Sequence, residues 1–293
     1  MSVPHQFGGA WTQEKLDILE RYLVAYSTVM KRQYSFTTHY VDAFAGTGSR
    51  QSPASTRTHA GATLFEDEND AQDADLYQRG SAQVALEIEQ PFDRYVFVDT
   101  NPEFTAELEN LRVRYPQRSI RVATEEANHF LVRWSQELAP RDRAVVFLDP
   151  YGMSVNWSTI EALAATRKID LWILFPIGVA VNRLLTRKQP PPKSWADALT
   201  RFFGDPEWEG RFYRPNMQPS LFGDDAALSK EADFEAIGDY FIERLMTIFA
   251  GVSSEYKTLR NSRNSPLYLL CFAASNPAGA PIAIRIANHL LRS

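Results

Sequence analysis

Four short stretches put acids, glycines and an aromatic ring where a chain would meet a ligand. Asp42-Ala-Phe-Ala-Gly-Thr-Gly48 follows an apolar run with an acid and then a glycine turn. Glycines there tolerate positive φ and let the backbone come close to a bound molecule. Gln51 stands where the dinucleotide fingerprint G-x-G-x-x-G needs its third glycine, which disfavours a nicotinamide or flavin redox enzyme. Asp99 closes a second apolar run, Arg94-Tyr-Val-Phe-Val-Asp99. Its two carboxylate oxygens suit two adjacent ribose hydroxyls, a role compatible with capping a helix near Pro102. Glu126-Ala-Asn128 follows a third run and offers either polar contacts to an adenine amine or a solvated helix start. Asp149-Pro-Tyr-Gly152 ends a fourth run with a carboxylate, a proline carbonyl and an aromatic ring; a helix-capping turn is the alternative. The five histidines show no paired ligand spacing, so no metal site is expected. Neither a G-x-S-x-G elbow nor a P-loop is present. A hydrolase acting on nucleic acid would rest on scattered acids alone.

These stretches are positioned by alternating elements. A helix is predicted over Trp11–Met30 from Leu16, Leu19, Leu23, Tyr26 and Met30, with Thr12 as N-cap and Lys15 in the first turn. Strands are predicted over Thr38–Ala45, Arg94–Asp99, Ser119–Ala123, Arg143–Asp149 and Asp170–Pro176. Helices are predicted over Ser81–Ile88, Pro102–Tyr115, Ala127–Leu138 and Ser158–Thr166. Strands alternating with helices imply an α/β, Rossmann-like, doubly wound and mostly parallel sheet covered on both faces. Right-handed crossovers bring the C-terminal ends of the strands to one edge, where ligands bind in open α/β sheets. Beyond Pro190-Pro-Pro192, a helix over Asp224–Ala250, strands over Tyr256–Arg260 and Leu267–Ala274 and a helix over Pro281–Leu291 complete a seven-stranded sheet. The expectation is one domain over 1–293, with an acidic insertion at 49–80 and a small inserted lobe at about 186–235.

The acid-x-x-x-Gly-x-Gly form of the first stretch resembles the first motif of S-adenosylmethionine-dependent methyltransferases. Asp149-Pro-Tyr-Gly152 resembles the Asp-Pro-Pro-Tyr motif of methyltransferases acting on amino nitrogens of bases, one proline short. A larger resemblance runs through Tyr40-Val-Asp-Ala-Phe-Ala-Gly-Thr-Gly48, Phe92-Asp-Arg-Tyr-Val-Phe-Val-Asp99, Val146–Met153 and Lys168–Arg183. It continues through Phe203-Gly204, Trp208, Ser265–Tyr268 and Phe272–Pro277. In these the chain resembles the three-Cys-motif partner proteins. That resemblance implies a class I methyltransferase-like fold and S-adenosylmethionine as cofactor. It assigns Asp42, Phe44, Gly46, Gly48, Asp99, Glu126 and Asn128 to the cofactor and Asp149, Pro150 and Tyr151 to catalysis. It also implies a partner protein bearing a three-cysteine motif, of the radical iron–sulfur type. Glu125-Glu126 stands where the family usually has Gly-Asp.

Charge and composition bound the rest. Hydrophobic residues make up 44% and charged residues 23% of the 293, an ordinary globular balance. The net charge is −5, but Glu66–Asp75 holds six acids and no Lys or Arg, so that stretch accounts for more than all of it. Val181–Pro215 carries seven basic residues against four acids, interleaved with Trp195, Phe202, Phe203, Trp208, Phe212 and Tyr213. Such mixing suits bases stacked beside phosphates, or aromatics forming the core of the lobe. A nucleic-acid partner therefore stays open. Cys271 lies in an apolar run and reads as a core residue. Leu171–Val181, the longest apolar stretch, is far short of the roughly 20 residues a membrane helix needs, and no secretory signal is visible. A soluble, cytoplasmic protein is the expectation.

Overall fold

Strands that are apolar at every position need cover on both faces, and the central strands have it. The computed structural model describes residues 10–33, 35–46, 80–187, 189–215 and 228–293. Its strands are β1 Thr37–Asp42, β2 Arg94–Asp99, β3 Ile120–Thr124, β4 Asp142–Leu148, β5 Ile169–Phe175, β6 Tyr213–Pro215, β7 Leu228–Lys230, β8 Gly251–Val252, β9 Lys257–Arg260 and β10 Pro266–Ala274. Its helices are α1 Ala10–Met30, α2 Ser81–Glu87, α3 Pro102–Arg114, α4 Ala127–Glu137, α5 Trp157–Ala165, α6 Asn182–Leu184, α7 Lys193–Phe203, α8 Trp208–Phe212, α9 Phe234–Met246 and α10 Ala280–Leu291, with a π-helical turn at Ile177–Val181. Among these, no helix is long and apolar enough to cross a membrane.

The main sheet has eight strands, ordered β3-β2-β1-β4-β5-β10-β8, with β9 also on β10. The first five pair in parallel, while β10 runs antiparallel to β5. This is the mostly parallel α/β fold expected, with one strand more. Alternate residues face opposite layers. Val146, Leu148, Leu171, Ile173 and Phe175 pack in one core beneath α4, α5, α7 and α9. Tyr40, Phe97, Phe147, Trp172 and Phe272 pack in the other with α1, α3 and α10.

Two expectations are corrected, and one open choice is decided. Thr12 is not an N-cap: α1 begins at Ala10, so Thr12 lies inside the helix and is buried against the core. The helix expected over 224–250 is α9 alone. Asp233 caps it by accepting from the Ala236 N–H at 2.9 Å, and Leu228–Lys230 pairs with β6 instead. The interleaved aromatics follow the second of their two readings and form core. Phe202, Phe203, Trp208, Phe212 and Tyr213 are buried, with Phe202 5.6 Å from Phe175 of β5 and 5.9 Å from Phe241 of α9. Trp195 is half-buried against the same core. The acidic stretch 66–75 lies outside the described residues, as do Lys188 and 216–227 of the lobe.

The turn after β5 is held by a close backbone approach. The Val181 N–H donates to the Pro176 carbonyl at 3.0 Å, a π-helical closure. A Cβ on Gly178 would lie 1.8 Å from the Pro266 carbonyl oxygen at the start of β10. Neither backbone can yield without breaking the seam between the turn and the antiparallel strand. Gly178→Ala is expected to lower unfolding stability by about 2–4 kcal/mol, read as a lower urea midpoint with an unchanged slope.

Candidate functional site

Register brings three acids together. On β1, Asp42 pairs with Phe97 of β2 on one side and with Phe147 of β4 on the other. Asp99 and Asp149 each lie two residues further on. Because side chains alternate with period two, both share the facing of Asp42, towards the α1 and α2 layer. The edge thus carries a buried carboxylate flanked on both sides by others.

Asp42 is fully buried. Its Oδ2 accepts from the Ser81 hydroxyl at 2.5 Å, and its Oδ1 from the Phe44 N–H at 3.3 Å. Burial is the main force on its pKa, pushing it up from 3.8 to about 7. Asp149 adds to the rise, while Ser81, the Phe44 N–H and Lys15 oppose it. Tyr40, two residues back, is driven well above 10.0 by burial and then by Asp42.

Asp99 accepts from the Gly46 N–H at 3.1 Å and the Asn101 N–H at 2.8 Å. It therefore ties the glycine turn to the start of α3, where Asn101 caps by accepting from Glu103. Gly46 has φ +56°, so the turn requires a glycine, and a Cβ there would meet nothing within 4 Å among the described residues. Gly152, after Asp149-Pro-Tyr, likewise has φ +55° and open space. Phe44 is half-buried against the α4/α5 core. Gly48 lies outside the described residues.

Asp149 is not a free carboxylate. Its Oδ2 accepts from the Lys15 ammonium of α1 at 2.5 Å, with side-chain exposures of 7% for Lys15 and 28% for Asp149. Lys15 also lies 5.2 Å from the centre of the Trp11 ring, which stacks on Tyr268 of β10 at 5.3 Å. Pro150 is buried beside Asp149, while Tyr151 is 45% exposed.

Glu126 and Asn128 are engaged in bonds within the chain at the start of α4. Glu126 caps α4, accepting from the Asn128 and His129 N–H groups at 3.0 Å each. Burial alone would raise its pKa, but these bonds together hold it below 4.5. Asn128 donates to Glu126 at 2.6 Å and to the Ser154 carbonyl at 2.8 Å, and accepts from the Asn156 N–H and the Thr159 hydroxyl at 2.8 Å each. An amide side chain has two donors and two acceptor positions, and all four are taken. Asn128 is thus a brace fastening the loop after β4 to α4, with nothing left for an adenine.

Sequence reasoning passed over Lys15 and Ser81 as site residues. Lys15 had a signal, since it shares the core-facing stripe of α1 with Ile18, Leu19 and Tyr22, where a lone lysine needs a buried partner. Ser81 had none beyond its place at a helix start.

No family model matches the chain, and no curated protein matches it. Three solved structures show what it is similar to. One is a DUF519-family protein from Legionella pneumophila, 14% identical over 83% of this chain and 94% of that one, TM-score 0.41. Another is a conserved hypothetical protein of Streptococcus pyogenes, 18% identical over 53% and 78%, TM-score 0.31. The third is the CMeT domain of a citrinin polyketide synthase, 10% identical over 82% and 46%, TM-score 0.32. The sheet order, with the reversed strand β10 between β5 and β8, defines the class of the chain as a mostly parallel α/β fold.

Two outcomes follow for the site. Between the usual carboxylate range and about pH 7 the folded chain keeps a proton on Asp42 that the unfolded chain has released. Stability therefore falls as pH rises through that window and is level above it. Asp42→Asn is expected to flatten melting temperature between pH 5 and 8. It leaves the smaller slope of buried Asp170, whose pKa burial raises to about 6. Asn128→Ala leaves the buried Thr159 hydroxyl, the Asn156 N–H and the Ser154 carbonyl without their partner and is expected to cost about 1–3 kcal/mol in urea unfolding at any pH.

Proposed function

We propose that the chain is an S-adenosylmethionine-dependent methyltransferase acting on an amino nitrogen of a nucleic-acid base or a related acceptor. The observation that carries this reading is the convergence of Asp42, Asp99 and Asp149-Pro-Tyr151 on one sheet edge, between two open glycine turns. The residues fit the cofactor. Asp99 stands at a strand end beside the Gly46 turn, and a carboxylate there has the acceptor chemistry that ribose hydroxyls need. Asp42 supplies negative charge next to the Gly46 turn for a cationic group. S-adenosylmethionine supplies, when bound, an electrophilic methyl group on a sulfonium.

In this reading the chain contributes positioning and charge complementarity. Oδ1 of Asp149 and the Pro150 carbonyl accept from the target amine, so that its lone pair points away from them. The amine proton passes to Asp149 or to water after transfer. Tyr151, partly exposed, offers a ring face to the base. Asn128 and Glu126 contribute by holding the loop after β4.

A second reading is favoured by the ion pair at Asp149. A carboxylate already held by Lys15, in a motif one proline short, suits a non-catalytic subunit that keeps the cofactor fold and serves a three-Cys-motif iron–sulfur partner. That partner comes from the family resemblance in Asp42–Gly48, Arg94–Asp99 and Val146–Met153.

Calorimetry and tritiated methyl transfer to a panel of DNA, RNA and protein acceptors separate the two. The methyltransferase reading expects binding of S-adenosylmethionine that Asp99→Ala weakens by roughly 10–100-fold, the worth of charge-assisted hydrogen bonds. Asp149→Asn is expected to keep binding and abolish transfer. Binding without transfer to any acceptor, with co-purification of an iron–sulfur protein, selects the second reading. No binding by the wild type rejects both.

A further inference from the structure

Lys15 is the charged side chain of this edge that neither the motifs nor the proposed chemistry uses. It comes from α1, on the layer that Asp42 and Asp149 face. Its stem is buried, its ammonium sits at 2.5 Å from Oδ2 of Asp149, and the Trp11 ring backs it at 5.2 Å. Oδ1 of Asp149 accepts no bond among the described residues. Among the described residues, the groups facing Asp42 are the Ser81 hydroxyl from α2, the Phe44 N–H from the turn, the Tyr40 phenol from β1, Asp149 beyond β4 and Lys15 from α1. Asp99 lies beyond β2 in the equivalent register. Lys15 is the one cation in that set. A buried carboxylate beside another ionises only when an opposite charge offsets burial and repulsion.

We propose that Lys15 is a positioning residue of the strand-end site. Clamped between Trp11 and Oδ2 of Asp149, its ammonium offsets the Asp149 charge beside buried Asp42, and it leaves Oδ1 as the Asp149 oxygen for a substrate amine. The proposal rests on the reading of this edge as the S-adenosylmethionine site. It adds a consequence for the acceptor class. A carboxylate already matched by an ammonium has little net attraction for a second cation, so the site favours a neutral planar amine over a protonated alkyl amine such as lysine or a polyamine.

The full chain and its Lys15→Met and Lys15→Arg variants test it by two readouts. Methionine keeps the buried stem and removes the charge, and arginine restores the charge. The first readout is calorimetric binding of S-adenosylmethionine from pH 6 to 9. An opposite charge within about 4–6 Å moves a carboxylate by roughly one to three pH units. Lys15→Met leaves Asp149 unpaired beside Asp42, so it is expected to weaken binding severalfold at pH 7 and to recover most of it by pH 9, with Lys15→Arg close to wild type. The second readout, melting temperature over the same range, needs no cofactor. Removing the cation extends the pH range over which Asp42 keeps its proton when folded. The melting temperature of Lys15→Met is thus expected to go on falling above pH 7, where the wild type levels off. A purely structural lysine would lower both curves evenly.

Parallel melting profiles for Lys15→Met and wild type overturn the proposal. So does wild-type affinity with an unshifted pH dependence in Lys15→Met. Divergent melting profiles with no binding by wild type uphold the counter-ion role and reject the cofactor reading instead.

Discussion

Asp42 sits at the centre of a sheet edge with Asp99 and Asp149 two residues beyond its neighbours in register. Burial and like-charge repulsion both work against three carboxylates so placed. The surroundings offset that cost group by group. Asp99 receives two backbone N–H groups, Asp149 an ammonium, and Asp42 a hydroxyl and one N–H. Asp42, the most deeply buried, is left short of compensation, which is why its pKa rises to about 7. In the proposed reading, the cationic end of the cofactor would supply the compensation that Asp42 lacks.

The rest of the fold keeps that edge in place. Two cores, one on each face, leave β1, β4 and β5 without solvent exposure over most of their length. The Trp172, Tyr22 and Phe272 rings pack together below α1, with Trp172 and Phe272 centred 4.9 Å apart. They fix the helix that carries Lys15. On the other face, Asn128 fastens the loop that follows Asp149-Pro-Tyr151. Both sides of the acceptor carboxylate are therefore supported from elements distant in sequence.

Much of this was legible beforehand. Each acid ends an apolar run bounded by turn residues, so Asp42, Asp99 and Asp149 could be placed at strand ends from the pattern alone. The alternation of strands and helices then put them on one edge. Glu126 and Asn128 were placed at the right helix start, but their bonds within the chain were not foreseen. The partners that absorb Asn128 are Ser154, Asn156 and Thr159, 26 to 31 residues away and invisible to local reading. The aromatics of 195–213 had two open readings, and burial against Phe175 and Phe241 chose between them.

By itself, the sequence determined the strands, their parallel succession and the acids at their ends. Apolar periodicity, glycine turns and crossover handedness are local or topological rules that hold whatever the side chains finally touch. Tertiary structure alone decided the register that sets Asp42 between Phe97 and Phe147, the backbone approach of Gly178 to Pro266, and the pairing of Lys15 with Asp149 across 134 residues. Those depend on how one helix and one reversed strand pack on the finished sheet, and therefore on shape and desolvation summed over the whole core.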